Sequence, residues 1–245
     1  MTTPANDART VPIATDSGEM AAYDAHPEGA ARGGVLVVQE AFGVTDHIED
    51  VTRRFAAAGF RAVAPHLFYR TGDPVLTYED LPAIGPHLQA LTEPGLVNDL
   101  DASIGYLEDA AGLTPARIAV VGFCMGGSVT ALAAARRRLG AAVSFYGGGV
   151  VEGRFGMPPL VELAPEFQTP WLGLYGGQDQ GIPVEQAEAL RKAAVGAGVD
   201  TDLVVYPDAQ HGFHCDARPS YDPASAKDAW ERTQAWLAEH LPRDV

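Results

Sequence analysis

Short, unbroken apolar runs recur along this chain, and more polar segments with apolar positions at helical spacing separate them. The runs are GGVLVVQE (33–40), RAVAPHLF (61–68), RIAVVGF (117–123), AAVSFY (141–146), PWLGLYGG (170–177) and TDLVVYP (201–207). Unbroken apolar runs of this length suit strands covered on both faces, as in a parallel sheet. Between them the spacing predicts helices over 47–58, 96–111, 125–138, 183–195 and 223–240. In the first, Ile48, Val51, Phe55 and Ala58 share one face, Asp46 is placed to cap the start and Gly59 to stop the end. In the last, Ala226, Trp230, Thr233 and Leu237 fall at helical spacing.

TVPIAT and GEMAAYDA, near the start, alternate as a hairpin around Asp16, Ser17 and Gly18. Residues 1–9 are expected to be flexible, 70–95 to form a long loop with broken helix, and 149–169 an irregular Pro-rich insert. Strand and helix in alternation imply βαβ units with right-handed crossovers. The expected architecture is therefore one α/β domain over 10–245, a mainly parallel sheet of about eight strands with helices on both faces. No internal repeat or low-complexity segment is visible.

Composition narrows the function by exclusion. The 245 residues carry 32 acidic and 17 basic side chains, a net charge of −15. Phosphate backbones and anionic membrane surfaces call for clustered Lys and Arg, so neither nucleic acid nor membrane is an expected partner. Two cysteines, Cys124 and Cys215, make no disulfide framework. With no signal-like start and no long apolar run, the expected compartment is the cytoplasm.

The chemistry centres on GFCMG, which links the strand ending at Phe123 to the following helix. Gly-x-nucleophile-x-Gly between strand and helix is the form of a nucleophile elbow. The turn lifts its central residue above the sheet and folds the chain so tightly that the residues two before and two after must be small. Gly122 and Gly126 meet that demand, and Gly127 lets the helix approach the strand. The backbone N–H of Met125 then points where an oxyanion would form. A free cysteine is equally at home as a small buried apolar residue, and a phosphate-binding turn lacks its Lys here. The partners tip the balance toward catalysis. A hydrolase of this architecture orders nucleophile, acid and histidine along the chain, the latter two after later strands. Asp179 in GGQDQGIP and His211 in YPDAQHGF stand at those places. Turn capping and a hydrogen-bonded loop are the ordinary alternatives for each. A metal reading of His211, His214 and Cys215 has no second ligand cluster to complete it, and no metal or cofactor is expected.

These residues resemble the dienelactone hydrolase family (carboxymethylenebutenolidases). QEAFG (39–43), GFCMGG (122–127), GGQDQGIP (176–183), YPDAQHGF (206–213) and DPASAKDAWERT (222–233) carry the likeness, which spans residues 12–241. The resemblance implies the α/β-hydrolase fold, a Cys124–Asp179–His211 triad without cofactor, and a monomer that acts on small ester or lactone substrates. It implies a role for Glu40 beside the cysteine, shifted by substrate so that it helps take the thiol proton. A neutral resting thiol, slow to react with iodoacetamide, goes with that role. The resemblance also implies Ala41 N–H as the second oxyanion donor. Phe42 and Tyr146 are expected either as walls of the substrate pocket or, equally, as core packing, and Arg218 as a further pocket residue. Founding members hold a substrate carboxylate with two arginines. Here the first region, 75–91, has no arginine, and Cys215 occupies the position of the second, leaving Arg70 and Arg218 as the nearest candidates. A thioesterase or acyltransferase on the same triad, or a non-catalytic redox sensor pairing Cys124 with Cys215, are the competing functions.

Overall fold

The structure is a computed structural model in which residues 7–242 are described. Eight strands form one sheet: β1 (Ala8–Thr15), β2 (Gly18–Ala25), β3 (Gly34–Val38), β4 (Arg61–Pro65), β5 (Ile118–Phe123), β6 (Ala141–Phe145), β7 (Trp171–Gly176) and β8 (Thr201–Tyr206). Their order across the sheet is β1-β2-β4-β3-β5-β6-β7-β8. The β1–β2 hairpin is antiparallel and joins β4 antiparallel, and every pairing from β4 to β8 is parallel. This is the mainly parallel α/β sheet expected from the apolar runs. Strands β3 to β7 are buried at every residue, whereas β8 at the edge is only partly covered.

Seven helices cover the sheet: α1 (Asp46–Ala57), α2 (Leu81–Gln89), α3 (Glu93–Ala111), α4 (Met125–Arg136), α5 (Leu160–Leu163), α6 (Val184–Ala194) and α7 (Pro223–His240). Helices α1 and α7 meet through Phe55 and Trp230, whose ring centroids lie 4.7 Å apart. Helices α3, α4, α5 and α6 touch in succession along the sheet. No helix among the described residues is long and apolar enough to cross a membrane.

Three expectations shift at element ends. The flexible start expected over 1–9 does not include Ala8 and Arg9, which belong to β1, paired with Ala25 and Asp24; residues 1–6 lie outside the described residues. Thr45, not Asp46, caps α1: its Oγ1 accepts from Ile48 N, and Asp46 is the first helical residue. Adjacent Thr and Asp are both good caps, and the sequence does not say which takes the extended backbone. Helix α3 begins at Glu93 rather than 96, with Thr92 accepting from Gly95 N at 3.2 Å. Pro94 and Gly95 read as breakers, yet a proline in the first turn loses no hydrogen bond. Over 70–95, where a loop with broken helix is expected, lies α2, which has Pro82 in its first turn.

The sheet sets the site by its polarity. Glu40 follows β3, Cys124 follows β5, Asp179 follows β7 and His211 follows β8, all past the carboxyl ends of parallel strands. That edge is where open α/β sheets place ligands.

Candidate active site

Cys124 is the first residue after β5 and precedes α4, with φ 55° and ψ −115°. A cysteine at positive φ is strained, and such strain persists only where the surroundings impose it. The surroundings here are backbone. A Cβ on Gly122 would lie 2.1 Å from Gly126 O, one on Gly126 2.3 Å from Val38 O, and one on Gly127 2.4 Å from Phe145 O. All three glycines are thus required by contact, and the turn between β5 and α4 closes as the sequence pattern predicts.

The side chains after β7 and β8 converge on the cysteine. His211 Nε2 is 3.1 Å from Cys124 Sγ, and His211 Nδ1 is 2.6 Å from Asp179 Oδ2. Asp179 is itself fixed, since its Oδ1 accepts from Gly181 N at 2.8 Å and Ile182 N at 3.1 Å. Burial alone would favour neutral His211. The charge of Cys124, with hydrogen bonds to Asp179 and to the sulfur, outweighs it and pushes the imidazole up to about 10. When the sulfur is ionised, the proton therefore rests on His211. The amides of Met125 and Ala41 donate to no acceptor among the described residues. Met125 borders the cavity above Cys124.

Glu40 is fully buried. The β3–β5 register sets Val38 opposite Gly122, so Glu40 and Cys124 each lie two residues past the last paired position. Its Oε1 accepts from Arg218 Nη1 at 3.3 Å, while Oε2 is buried without a partner. Arg218 in turn lies over the rings of Phe42 and Tyr78, 5.7 and 5.5 Å from their centroids. Tyr78 accepts from the Cys215 thiol at 3.3 Å. Burial, reinforced by the charge of Glu40, pushes that thiol up to about 11. A buried carboxylate oxygen with no donor opposes further negative charge nearby. Glu40→Gln is accordingly expected to speed alkylation of Cys124 by iodoacetamide severalfold at neutral pH, read as the rate of label uptake. An unchanged rate would mean that Glu40 does not restrain the sulfur.

A cavity of about 760 Å³ opens above the cysteine, lined by Cys124, Met125, His211, Arg218, Tyr78 and Leu81 among others. Two expected pocket residues are not in its wall. Phe42 is buried edge-on against Tyr78, ring centroids 4.7 Å apart. Tyr146 is fully buried beneath the histidine, its ring 5.0 Å from that of His211. Both aromatics support the site from behind. Arg70 is spent on Asp99, at 2.6 and 2.8 Å, and does not reach the cavity. His211, His214 and Cys215 diverge: His214 packs among Phe123, Phe145 and Trp230, and the cysteine turns to Tyr78. Sequence reasoning did not single out Tyr78 or Arg154. Both lie in irregular segments without periodicity, and only the fold brings them to the cavity.

Comparison with known proteins identifies the family. The chain is 40% identical over 233 residues to a protein of Methylorubrum extorquens named "Putative carboxymethylenebutenolidase", with 94% of this chain and 80% of that protein covered. It is 30% identical over 234 residues to a Bradyrhizobium protein named "Probable 2-oxo-3-(5-oxofuran-2-ylidene)propanoate lactonase", covering 94% of each. The crystal structure titled "Putative Dienelactone Hydrolase" from Klebsiella pneumoniae superposes with a TM-score of 0.89 at 38% identity, covering 96% of this chain and 99% of that one. The dienelactone hydrolase family model matches residues 20–241, and the chain belongs to that family, with its α/β-hydrolase fold.

Proposed function

We propose that this protein hydrolyses carboxylic esters or lactones through a Cys124 thioacyl intermediate. The observation that carries the reading is the relay Cys124–His211–Asp179, with contacts of 3.1 and 2.6 Å at the mouth of a cavity. In the first half-reaction the thiol proton passes to His211 Nε2 as Sγ attacks the carbonyl carbon. The oxyanion is held by the Met125 and Ala41 amides. The tetrahedral species collapses, the C–O bond breaks, and the departing alkoxide takes the proton from His211. For a lactone the alkoxide stays within the same molecule. Water then gives a proton to His211 Nε2 as it attacks the thioester, and collapse returns the sulfur, which regains that proton. Asp179 holds the imidazole in the tautomer and orientation this needs. A thiolate leaves more readily than an amine, so attack on an amide tends to revert, and esters and lactones are the fitting substrates.

Glu40 and Arg218 act together in this reading. Arg218 holds Glu40 in the resting site at 3.3 Å. A substrate that engages Arg218 frees the carboxylate to help draw off the thiol proton. The redox alternative has less support. Cys215 is fully buried and its thiol is pushed up, and reactive cysteines are exposed with lowered pKa.

The test uses p-nitrophenyl acetate, an unsaturated lactone bearing a carboxylate, and the same lactone without it. Rapid quenching followed by peptide mass analysis is expected to find one acetyl group on the Cys124 peptide during p-nitrophenyl acetate turnover. Acetyl on another residue, or turnover with no acyl-enzyme on Cys124 in any quench, overturns the thioacyl route. Faster turnover of the charged lactone would place a carboxylate at Arg218. Product trapping by added alcohol would move the reading toward acyl transfer.

A further inference from the structure

The cavity is bordered by two guanidinium groups in different states. Arg218 lies deep, its side chain 18% exposed, and is engaged by Glu40 and two aromatic rings. Arg154 lies at the mouth and is exposed, and its guanidinium has no hydrogen-bond or ion-pair partner among the described residues. That is notable in a chain with 32 acidic and 17 basic residues, where carboxylates outnumber cations. Two carboxylates of the site are engaged elsewhere. Asp179 is held by His211 and two amides, and Glu40 by Arg218.

The segment that carries Arg154 is built firmly. Arg154 O accepts from Met157 N at 2.9 Å. A Cβ on Gly153 would lie 2.3 Å from Met157 O, and one on Gly149 3.2 Å from Arg154 Cβ. Phe155, next in the chain and also bordering the cavity, sits at φ 57°. The segment is tied to the helix behind the cysteine: Ser128 Oγ donates to Gly148 O at 2.8 Å, and Gly147 packs against Gly127. Gly147 and Gly148, at the start of the segment, thus pack on the helix that follows Cys124, and Gly149 packs against Arg154. Beside it the wall is apolar, formed by Phe155, Ile182 and Leu81, the last 62% exposed at the rim. Together these side chains give one side of the cavity an apolar face. The volume, about 760 Å³, is in the range that buries a drug-sized ligand and exceeds what a monocyclic lactone fills.

We propose that Arg154 forms an outer anion subsite, so that the preferred substrates are esters or lactones whose anionic group is separated from the reacting carbonyl by an apolar spacer lying on Leu81 and Phe155. The proposal rests on the hydrolase reading. It adds a substrate shape: long and amphipathic, with its charge remote from the bond that breaks.

The experiment uses p-nitrophenyl monoesters of linear dicarboxylic acids of increasing length, each paired with the neutral methyl ester of the same length. The quantity read is the ratio of kcat/KM for the charged to the neutral member of each pair. In the wild type this ratio should rise with spacer length. Arg154→Ala should lower it about three- to tenfold for the long pairs, the scale of a partly exposed ion pair with charge-assisted hydrogen bonds. Arg154→Lys should restore part of it, Arg154→Glu should invert it, and added salt should weaken it. A ratio indifferent to Arg154, or a preference confined to the shortest spacers, overturns the proposal. A second measurement stands apart from turnover: protection of Cys124 from iodoacetamide by a long monoamide of a dicarboxylic acid. Protection lost in Arg154→Ala supports the subsite even if no ester in the series is hydrolysed, a result that would sink the hydrolase reading alone. Equal protection in both proteins removes the subsite.

Discussion

Cys124→Ala should abolish ester hydrolysis, a loss of about a thousandfold or more in kcat, while the protein unfolds at nearly the wild-type temperature. The two halves of this expectation have separate physical grounds. Activity is lost because alanine carries no nucleophile, and His211, whose Nε2 stands 3.1 Å from the sulfur, is left without a proton to take. Removing one member of such a unit costs nearly as much as removing all of it, since the members act only together. Stability is kept because Cys124 is only partly buried and faces the cavity, so loss of Sγ opens no sealed void. The strained φ of 55° is imposed by backbone contacts around the elbow and is shared by alanine, which has the same Cβ. Steady-state rates on p-nitrophenyl acetate and a thermal melt check both. Residual hydrolysis near wild-type level would assign the nucleophile elsewhere, and a collapse in melting temperature would make Cys124 a structural residue.

The elbow was legible in the sequence because it is local. Six residues, from Gly122 to Gly127, specify a strand end, a turn that only glycine permits and a helix start. Asp179 and His211 were legible at one remove. Each is a polar residue in a turn just past a strand, and parallel strands bring such turns to one edge. The partners of Glu40 were not legible in that way. Arg218 lies 178 residues from Glu40 in an irregular segment, and no periodicity announces that pairing. Arg154 and Tyr78 belong to the same class. Phe42 and Tyr146 show the converse limit. The sequence places aromatics beside the candidate catalytic positions but does not say on which side of the strand end they turn. Tyr146, one residue past β6 at φ 39°, turns under His211 instead of into the cavity. The N-cap of α1 shifted for a smaller reason, since Thr45 and Asp46 are both competent, while Gly59, at φ 93°, ends the helix as expected.

Gly126→Ala is expected to damage fold and chemistry together, which distinguishes it from the cysteine variant. The added Cβ would fall 2.3 Å from Val38 O and 2.5 Å from Gln39 O, both backbone atoms at the end of β3. No side chain can rotate away to relieve that contact, so helix α4 must lift or the end of β3 must bend. The strand end is itself pinned: Gln39 Oε1 accepts from Leu67 N at 3.0 Å, and its Nε2 donates to Glu40 O at 3.3 Å. Overpacking against a rigid partner costs about 3 kcal/mol, which for a chain of this size lowers the melting temperature by roughly 6–12 °C. The residues that bending displaces are Glu40 and the Ala41 amide, and the one that lifting displaces is the Met125 amide. Displacements near 1 Å at such positions cost about a hundredfold in rate, so kcat should fall by that order even in the folded fraction. Gly105→Ala supplies the control. It lies inside α3 with nothing within 4 Å of the added Cβ, and should raise stability slightly, by about 0.5–1 kcal/mol, without touching kcat. If Gly126→Ala melted with the wild type and turned over at its rate, the close approach of α4 to β3 would not be what aligns the oxyanion amides with Cys124.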